Sequence, residues 1–199
     1  VAERPYYQAQ LLEPGAAAGL LAEVRPDWVI HTAALTNVDL CETERAEARQ
    51  INLDMVAQLA QACVQVNAGL VQLSTDYVFD GSGERAWRED DPTGPVGVYG
   101  QTKLAGENAL AASGADYAIL RTAWVYSPFG KNFCKTMLRV GNQRDELGVV
   151  MDQIGNPTSA HDIAEAIAKI TTAILIDGQP VRAGIYHLSG TGEASWADF

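Results

Sequence analysis

Leu70-Val71-Gln72-Leu73-Ser74-Thr75-Asp76 is a short apolar run that ends in polar residues, and the fold class can be argued outward from it. Asn67-Ala68-Gly69 precedes it and closes the segment before, so the run is typical of a buried strand. Tyr99 to Ser113 then has helical composition, and Gly114 ends it. A strand followed by a helix is the unit from which α/β sheets are built.

Helices and strands alternate on both sides of this stretch. Residues 16–24 predict a helix, and the breaker Arg25-Pro26-Asp27 separates it from the apolar strand Trp28–Ala34. One long crossover helix is expected between that strand and Leu70, and Tyr117–Ala123 predicts a third strand. Strands that are joined by helices within one sheet run parallel. The sequence therefore predicts an α/β fold with a doubly wound parallel sheet.

The pattern is looser after Trp124. We expect a helix at 132–140, a short strand at 147–151, a loop at 152–158, a helix from Ser159 to Leu175, a strand at 185–188 and a helix that begins at Ser195. Gly, Pro, Asp and Glu dominate residues 80–98, which predicts a long ordered loop or lid. Loops of this length in compact domains are often functional.

Composition limits the partners that the surface can bind. The chain has 199 residues, enough for one domain with a substantial core, and its 14 basic and 25 acidic side chains give a net charge of −11. With no basic run, this charge disfavours nucleic acid and anionic membrane as partners. No stretch reaches the roughly 18 consecutive apolar residues of a membrane-spanning helix.

The cysteines predict a reducing environment. Cys41, Cys63 and Cys134 are odd in number, lie far apart and form no C-x-x-C pair. That usage is typical of reduced thiols, and the first residues show no signal pattern. We therefore expect a cytoplasmic protein.

No metal site is predicted from the histidines and carboxylates. His31, His161 and His187 are isolated from one another, and no spacing matches a set of metal ligands. His31 and His187 lie in predicted strands, where satisfied core histidines are the expectation. The acidic clusters at Glu42, Glu44 and Glu47 and at Glu89-Asp90-Asp91 are interpreted as solvated faces.

Tyr99 and Lys103 are the candidate pair for chemistry. They are four residues apart on a predicted helix and so share one face. An ammonium beside a phenol lowers the phenol pKa, which makes the hydroxyl a usable proton donor or acceptor. Taken alone, an amphipathic tyrosine on a solvated helix face is the simpler explanation.

Polar residues follow three of the predicted strands. They lie at the carboxyl ends of the strands, which is where an open parallel sheet binds its ligands. Each threonine taken alone is explained as a cap or turn residue. Their convergence with Tyr99 and Lys103 on one crevice favours a functional site. The three strand ends are Ala34-Leu35-Thr36, Ser74-Thr75-Asp76 and Thr122-Ala123-Trp124.

A series of longer motifs spans nearly the whole chain. They are Arg25-Pro26-Asp27-Trp28-Val29-Ile30, Ser74-Thr75-Asp76-Tyr77-Val78-Phe79-Asp80-Gly81, Tyr99-Gly100-Gln101-Thr102-Lys103-Leu104-Ala105-Gly106-Glu107, Leu120-Arg121-Thr122-Ala123-Trp124-Val125-Tyr126, Gly130-Lys131-Asn132-Phe133, Thr136-Met137 and Asp152-Gln153-Ile154-Gly155-Asn156-Pro157-Thr158. In these motifs and in their order the chain resembles the dTDP-4-dehydrorhamnose reductase family of extended short-chain dehydrogenases/reductases. Related epimerases and dehydratases usually carry Val-Tyr-Gly where this chain has Val78-Phe79-Asp80-Gly81.

The resemblance implies a Rossmann-like sheet and a reductase that uses NADPH or NADH. The implied reaction reduces the 4-keto group of dTDP-4-dehydro-L-rhamnose to dTDP-L-rhamnose, for polysaccharide synthesis. Residues 1–124 would form a partial dinucleotide-binding core, and residues 125–199 mainly a small substrate-binding portion interleaved with it. A homodimer is a possible assembly.

The resemblance also implies a role for each candidate site residue. Tyr99 would give a proton to the sugar oxygen, and Lys103 would hold the nicotinamide ribose and depress the Tyr99 pKa. Thr75 would tune the hydrogen bond to the reacting oxygen. The remaining expected contacts are Ala34, Leu35 and Thr36 with the cofactor, Thr75, Asp76 and Trp124 with the substrate, and the regions of Asn132, Phe133, Gln153 and Pro157 with the nucleotide-sugar pocket.

One motif of the family is missing from the chain. The family opens with a strand and a Gly-x-x-Gly-x-x-Gly turn that binds the pyrophosphate, and nothing before Ala34 contains it. The spacing of Gly94, Gly97 and Gly100 matches the turn by chance, because it leads into the Tyr99 helix. The chain is interpreted as a fragment, and weak cofactor binding is expected of it alone. The alternatives are a non-catalytic binding subunit with the reductase fold, or another nucleotide-sugar reductase or epimerase.

Overall fold

The helices and strands are described for residues 5–178 and 182–199 by a computed structural model. The helices are α1 (Ala16–Val24), α2 (Val38–Thr43), α3 (Arg45–Arg49), α4 (Met55–Val66), α5 (Val98–Ala111), α6 (Phe133–Gly141) and α7 (Ala160–Leu175), with a π-helical turn at Gln50–Asp54 and a 3₁₀ turn at Asp76–Val78. The strands are β1 (Trp28–His31), β2 (Gly69–Thr75), β3 (Tyr117–Thr122), β4 (Val125–Tyr126), β5 (Ile154–Gly155), β6 (Thr158–Ser159), β7 (Gly184–His187) and β8 (Ala194–Ser195).

The main sheet has the strand order β1-β2-β3-β7. β1 and β2 pair in parallel, with Trp28 opposite Gly69 and His31 opposite Gln72. The helices α4, α5 and α7 lie between successive strands in the sequence, which is the crossover that parallel pairing requires. The predicted α/β class with a parallel sheet is confirmed. Two short ladders accompany it, β4 with β6 and β5 with β8.

Several predicted boundaries are wrong in the first half of the chain. β1 ends at His31 instead of Ala34, and Ile30 is 48% exposed because β1 is the outer strand of the described sheet. The long crossover helix is also broken. Glu44 has a non-helical backbone between α2 and α3, and a π-helical turn separates α3 from α4.

Two predicted elements near the end of the chain are also wrong. Residues 147–151 form no strand, and Val150 and Met151 are exposed. Ser195 ends β8 instead of beginning a helix. The carboxylate of Asp198 accepts hydrogen bonds from the backbone and the hydroxyl of Ser195, at 2.9 and 2.7 Å, and closes a turn there.

Contacts divide the chain into two compact units. The first extends to Ile119 and includes Gly184, and the second begins at Leu120 and includes Ile185–Phe199. In the first unit α1 packs against α4, and α5 contacts α2, α3, α4, β2 and both irregular turns. The division of roles predicted at residues 124 and 125 stays a prediction. The fully buried core of the first unit includes Val56, Leu70, Val71, Leu110 and Ile119.

Two glycines let α5 approach its neighbours closely. A Cβ atom at Gly100 would overlap the carbonyl oxygen of Tyr77, and one at Gly106 would overlap the carbonyl oxygen of Asn52. Gly100 therefore serves helix packing against the 3₁₀ turn. No helix within residues 5–178 and 182–199 has the length and apolar character needed to cross a membrane.

Gly100→Ala is expected to destabilise the protein, because the added methyl group would overlap the Tyr77 carbonyl. Overpacking costs roughly 1–3 kcal/mol, more than the gain of about 0.5–1 kcal/mol from replacing a helical glycine with alanine. Gly19→Ala is the matched control, since Gly19 lies within α1 and a Cβ atom there meets nothing. Urea unfolding should show a loss for Gly100→Ala and a small gain for Gly19→Ala. Equal gains would contradict the close approach.

Candidate active site

The carboxyl end of β2 forms one side of the candidate site. Thr75 is buried there, and its hydroxyl donates a hydrogen bond to a carboxylate oxygen of Asp76 at 3.0 Å. The hydroxyl oxygen of Thr75 also accepts a hydrogen bond from the backbone N–H of Tyr77 at 3.2 Å and so caps the 3₁₀ turn. Thr75 is therefore a capping residue and also carries a hydroxyl at the site.

The first turn of α5 is fixed from a distant part of the chain. Oε1 of Glu42, in α2, accepts a hydrogen bond from the backbone N–H of Val98 at 2.7 Å. A carboxylate at this position satisfies a free N–H and complements the positive end of the helix dipole. The side chain of Glu42 is 43% exposed, in keeping with the interpretation of a solvated face, and it also caps α5, a role that the sequence did not indicate. Its other oxygen pairs with Arg45.

Tyr99 lies in the first turn of α5 with its ring buried. The ring packs in a cluster with Cys41 and Val98, and it meets the edge of Tyr77 with 5.5 Å between ring centroids. Burial raises the pKa of Tyr99 to about 12, although a hydrogen bond with the Thr75 side chain lowers it and Asp76 raises it further. The phenol is therefore protonated at neutral pH and can act as a proton donor.

Lys103 lies one turn after Tyr99 and is 5% exposed. Its ammonium donates a hydrogen bond to the carbonyl oxygen of Leu73 at 2.7 Å. Burial lowers the pKa of Lys103 to about 8, and Glu107 acts in the opposite direction. The expectation that Lys103 lowers the pKa of Tyr99 is wrong for this arrangement. The ammonium is directed at Leu73, and burial of the phenol dominates.

Glu107 continues the same face of α5 by one more turn. The hydroxyl of Ser74 donates a hydrogen bond to its Oε1 at 2.5 Å, and both side chains are buried. Tyr99, Lys103 and Glu107 thus meet three successive residues of β2, Leu73 to Thr75. We call this set of contacts the β2–α5 interface. It brings together all three residues that the sequence predicts to be catalytic.

Asn52 is a site residue that the sequence reasoning missed. It is buried in the π-helical turn, and its side chain accepts from the backbone N–H of Leu35 at 2.9 Å. Its Nδ2 donates to the Leu35 carbonyl at 3.0 Å and to the Thr102 hydroxyl at 3.2 Å. Asn52 therefore fixes the loop after β1 relative to α5. A polar residue three positions before Met55, on the apolar face of the helix, was the available signal.

His31 is buried at the end of β1, and its ring is hydrogen-bonded to β2. Its Nδ1 donates a hydrogen bond to Oε1 of Gln72 at 2.7 Å, while Nε2 has no partner among the described atoms. Burial lowers the pKa of His31, the Gln72 hydrogen bond raises it, and the charge of Lys103 lowers it again. Burial therefore favours the neutral form of His31. The prediction of a satisfied core histidine holds for one of its two nitrogens.

The loop after β1 carries the three residues that are predicted to contact the cofactor, and those contacts stay predictions. Ala34 and Leu35 are half-buried and Thr36 is exposed. Lys103 supplies a cation on the facing helix. Across the described parts of the chain, no group of three His, Cys, Asp or Glu side chains could hold a metal ion.

Trp124 belongs to the second unit, in an aromatic cluster of its own. Its backbone is left-handed, with φ +47°, and its ring stacks on Trp196 with 3.6 Å between centroids. Phe133 also packs against Trp196, and Oε1 of Gln153 accepts from the Trp196 indole at 3.2 Å. Asn132 caps α6. Contacts of these residues with substrate stay predictions.

Comparison with known proteins places this geometry in a family. The family described as "RmlD substrate binding domain" matches residues 2–199. The chain belongs to this family. It is 47% identical to the dTDP-4-dehydrorhamnose reductase of Sinorhizobium fredii over 92% of its length, and 42% identical to that of Escherichia coli K12 over 97%.

A solved structure of the family supports the same assignment. The dTDP-4-dehydrorhamnose reductase of Bacillus anthracis, crystallised in complex with NADP, is 40% identical and superposes with a TM-score of 0.86. The superposed region covers 94% of this chain and 64% of the crystallised chain. The chain likewise spans 62% and 64% of the Sinorhizobium and Escherichia relatives.

Lys103→Met is expected to change how stability depends on pH. The pKa of Lys103 is about 8 against an ordinary 10.5, so the folded state holds this proton more weakly than the unfolded state. The free energy of unfolding of the parent should therefore rise relative to Lys103→Met as pH increases from 8 to 10.5. The full difference between the two pKa values corresponds to a change of roughly 3 kcal/mol in the free energy of unfolding.

Urea unfolding at several pH values across that interval measures the difference between the two proteins. Lys131→Met is the control, because Lys131 is an exposed lysine of the second unit. A difference between the parent and Lys103→Met that stays constant with pH would contradict the buried, weakly protonated ammonium.

Proposed function

We propose that the protein containing this chain reduces the 4-keto group of dTDP-4-dehydro-L-rhamnose to form dTDP-L-rhamnose, with NADPH or NADH as cofactor. The observation that carries the proposal is the β2–α5 interface, which groups Thr75, Tyr99 and Lys103 in a member of this family. The names of the relatives supply the substrate.

Tyr99 is the proton donor in the proposed reaction. Its high pKa keeps the phenol protonated, so it can deliver a proton as negative charge develops on the sugar oxygen. Thr75 already hydrogen-bonds with the Tyr99 side chain and would orient it toward that oxygen. A bound reduced nicotinamide supplies the hydride to the same carbonyl group.

Lys103 and the loop after β1 would hold the cofactor. Lys103 offers a cationic donor for ribose hydroxyls, and Asn52 keeps Ala34, Leu35 and Thr36 in place through Leu35. NADPH is the preferred candidate because the Bacillus anthracis relative was crystallised with NADP. Asp76 and Trp124 are the proposed substrate contacts, and Asn132, Phe133, Gln153 and Pro157 mark the region of the nucleotide.

We further propose a cytoplasmic location and leave a homodimer as a prediction. The three cysteines are free thiols, in keeping with a reducing compartment. A non-catalytic subunit with the same fold is the rival function. Intact Thr75, Tyr99 and Lys103 in one buried interface favour the enzyme.

Tyr99→Phe is expected to lower turnover about 100-fold or more, because it removes the proton donor, while cofactor affinity stays nearly unchanged. The assay follows NADPH oxidation with the nucleotide sugar, using protein expressed from the complete coding sequence. Tyr117→Phe is the matched control, since Tyr117 opens β3, at the end of the sheet away from Thr75. Full turnover in Tyr99→Phe would exclude the mechanism. Absence of turnover in the parent with every nucleotide sugar would favour the non-catalytic rival.

A further inference from the structure

Glu107 is a buried acidic side chain that the proposed reaction does not use directly. It is 2% exposed and lies on α5 two turns beyond Tyr99. Burying a carboxylate is costly unless hydrogen bonds and an opposite charge compensate it. Its position therefore calls for an explanation in terms of its neighbours.

Ser74 holds one oxygen of Glu107. The Ser74 hydroxyl donates at 2.5 Å, a short distance that is typical of a hydroxyl donating to a carboxylate. Ser74 is itself buried in β2, next to Thr75. The carboxylate is therefore tied to the strand that carries the rest of the candidate site.

Lys103 is a buried cation one turn earlier on the same helix, and the charge of Glu107 raises its pKa. Its hydrogen bond goes to a neutral group, the carbonyl of Leu73, which does not compensate a full charge. On β1, burial and the charge of Lys103 both lower the pKa of His31, which favours its neutral form. The group of β2 that the ammonium contacts, the Leu73 carbonyl, carries no charge. Glu107 is thus the opposite charge that acts on Lys103.

We propose that Glu107, anchored by Ser74, is a positioning residue that keeps Lys103 in its cationic form within the β2–α5 interface. Its consequence for catalysis rests on the proposed function, in which Lys103 binds the cofactor as a cation. The charge relation between the two side chains does not rest on it.

At neutral pH the charged and neutral forms of Lys103 are close enough in free energy for the loss of one nearby charge to change which form predominates. With Glu107 present, the pKa of Lys103 is about 8, so at neutral pH the charged form outnumbers the neutral form by about tenfold. Removal of the opposing charge lowers the pKa further, because desolvation is then the main remaining influence. A fall of more than one pH unit would leave mostly neutral lysine.

Two variants separate the charge of Glu107 from its hydrogen bond. Glu107→Gln removes the charge and keeps an oxygen that can accept from Ser74. Ser74→Ala keeps the charge and removes the hydrogen bond that anchors it. Titration of lysine labelled with ¹³C at Cε reports the protonation of Lys103 by NMR. In protein from the complete coding sequence, Lys103→Arg assigns the Lys103 signal among the lysine signals, which include those of Lys131, Lys135 and Lys169.

The pH at which Lys103 is half protonated is expected to be highest in the parent, lower in Ser74→Ala and lowest in Glu107→Gln. Glu107→Gln should titrate at least about one pH unit below the parent. An unchanged midpoint in Glu107→Gln would overturn the proposal. Should Glu107→Gln fail to fold, Ser74→Ala decides: a lowered midpoint supports the anchored charge, and a parental midpoint overturns it.

The pH profile of reduction tests the catalytic consequence separately. In protein from the complete coding sequence, the rate of reduction should decline at a lower pH in Glu107→Gln than in the parent. The shift should equal the difference between their Lys103 midpoints in the NMR titration. If the parent lacks reductase activity, the proposed function fails, and the titration still decides the role of Glu107. If the parent is active and Glu107→Gln shifts neither the Lys103 titration nor the pH profile of reduction, the proposed role of Glu107 fails and the proposed function stands.

Discussion

Burial of one face of α5 against the carboxyl end of β2 is the constraint on which the candidate site depends. It takes a phenol, an ammonium and a carboxylate out of water on successive helical turns, where each must find a partner in the strand. The Thr75 side chain meets Tyr99, the Leu73 carbonyl meets Lys103 and the Ser74 hydroxyl meets Glu107. Burial is the largest influence on the pKa of both Tyr99 and Lys103.

The surroundings of α5 hold this arrangement in register. Gly100 and Gly106 allow contact distances that a side chain would prevent, and Glu42 satisfies the first free N–H of the helix. Asn52 connects the loop after β1 to the opposite side of α5 through Leu35 and Thr102. A helix fixed in this way can present a buried proton donor without a mobile first turn, as pre-organised catalysis requires.

Periodicity and local composition predicted much of the fold. They also predicted which residues could carry the chemistry, but not how those residues are protonated. The strand at Leu70, the helix at Tyr99 and the shared face of Tyr99 and Lys103 all follow from short-range patterns. The broken crossover helix did not, because the non-helical backbone at Glu44 has no composition signal. The roles of Glu42, Asn52 and Glu107 depend on partners far apart in sequence. The direction of the Tyr99 pKa was missed for the same reason, since burial cannot be seen from spacing.

The most direct test of the account is a crystal structure of the protein from its complete coding sequence, bound to oxidised cofactor and the reduced nucleotide sugar. We expect the Tyr99 and Thr75 hydroxyls both to lie within about 2.6–3.2 Å of the sugar 4-oxygen, with α5 packed on β2 as described. A sugar whose 4-oxygen contacts neither hydroxyl would contradict this expectation.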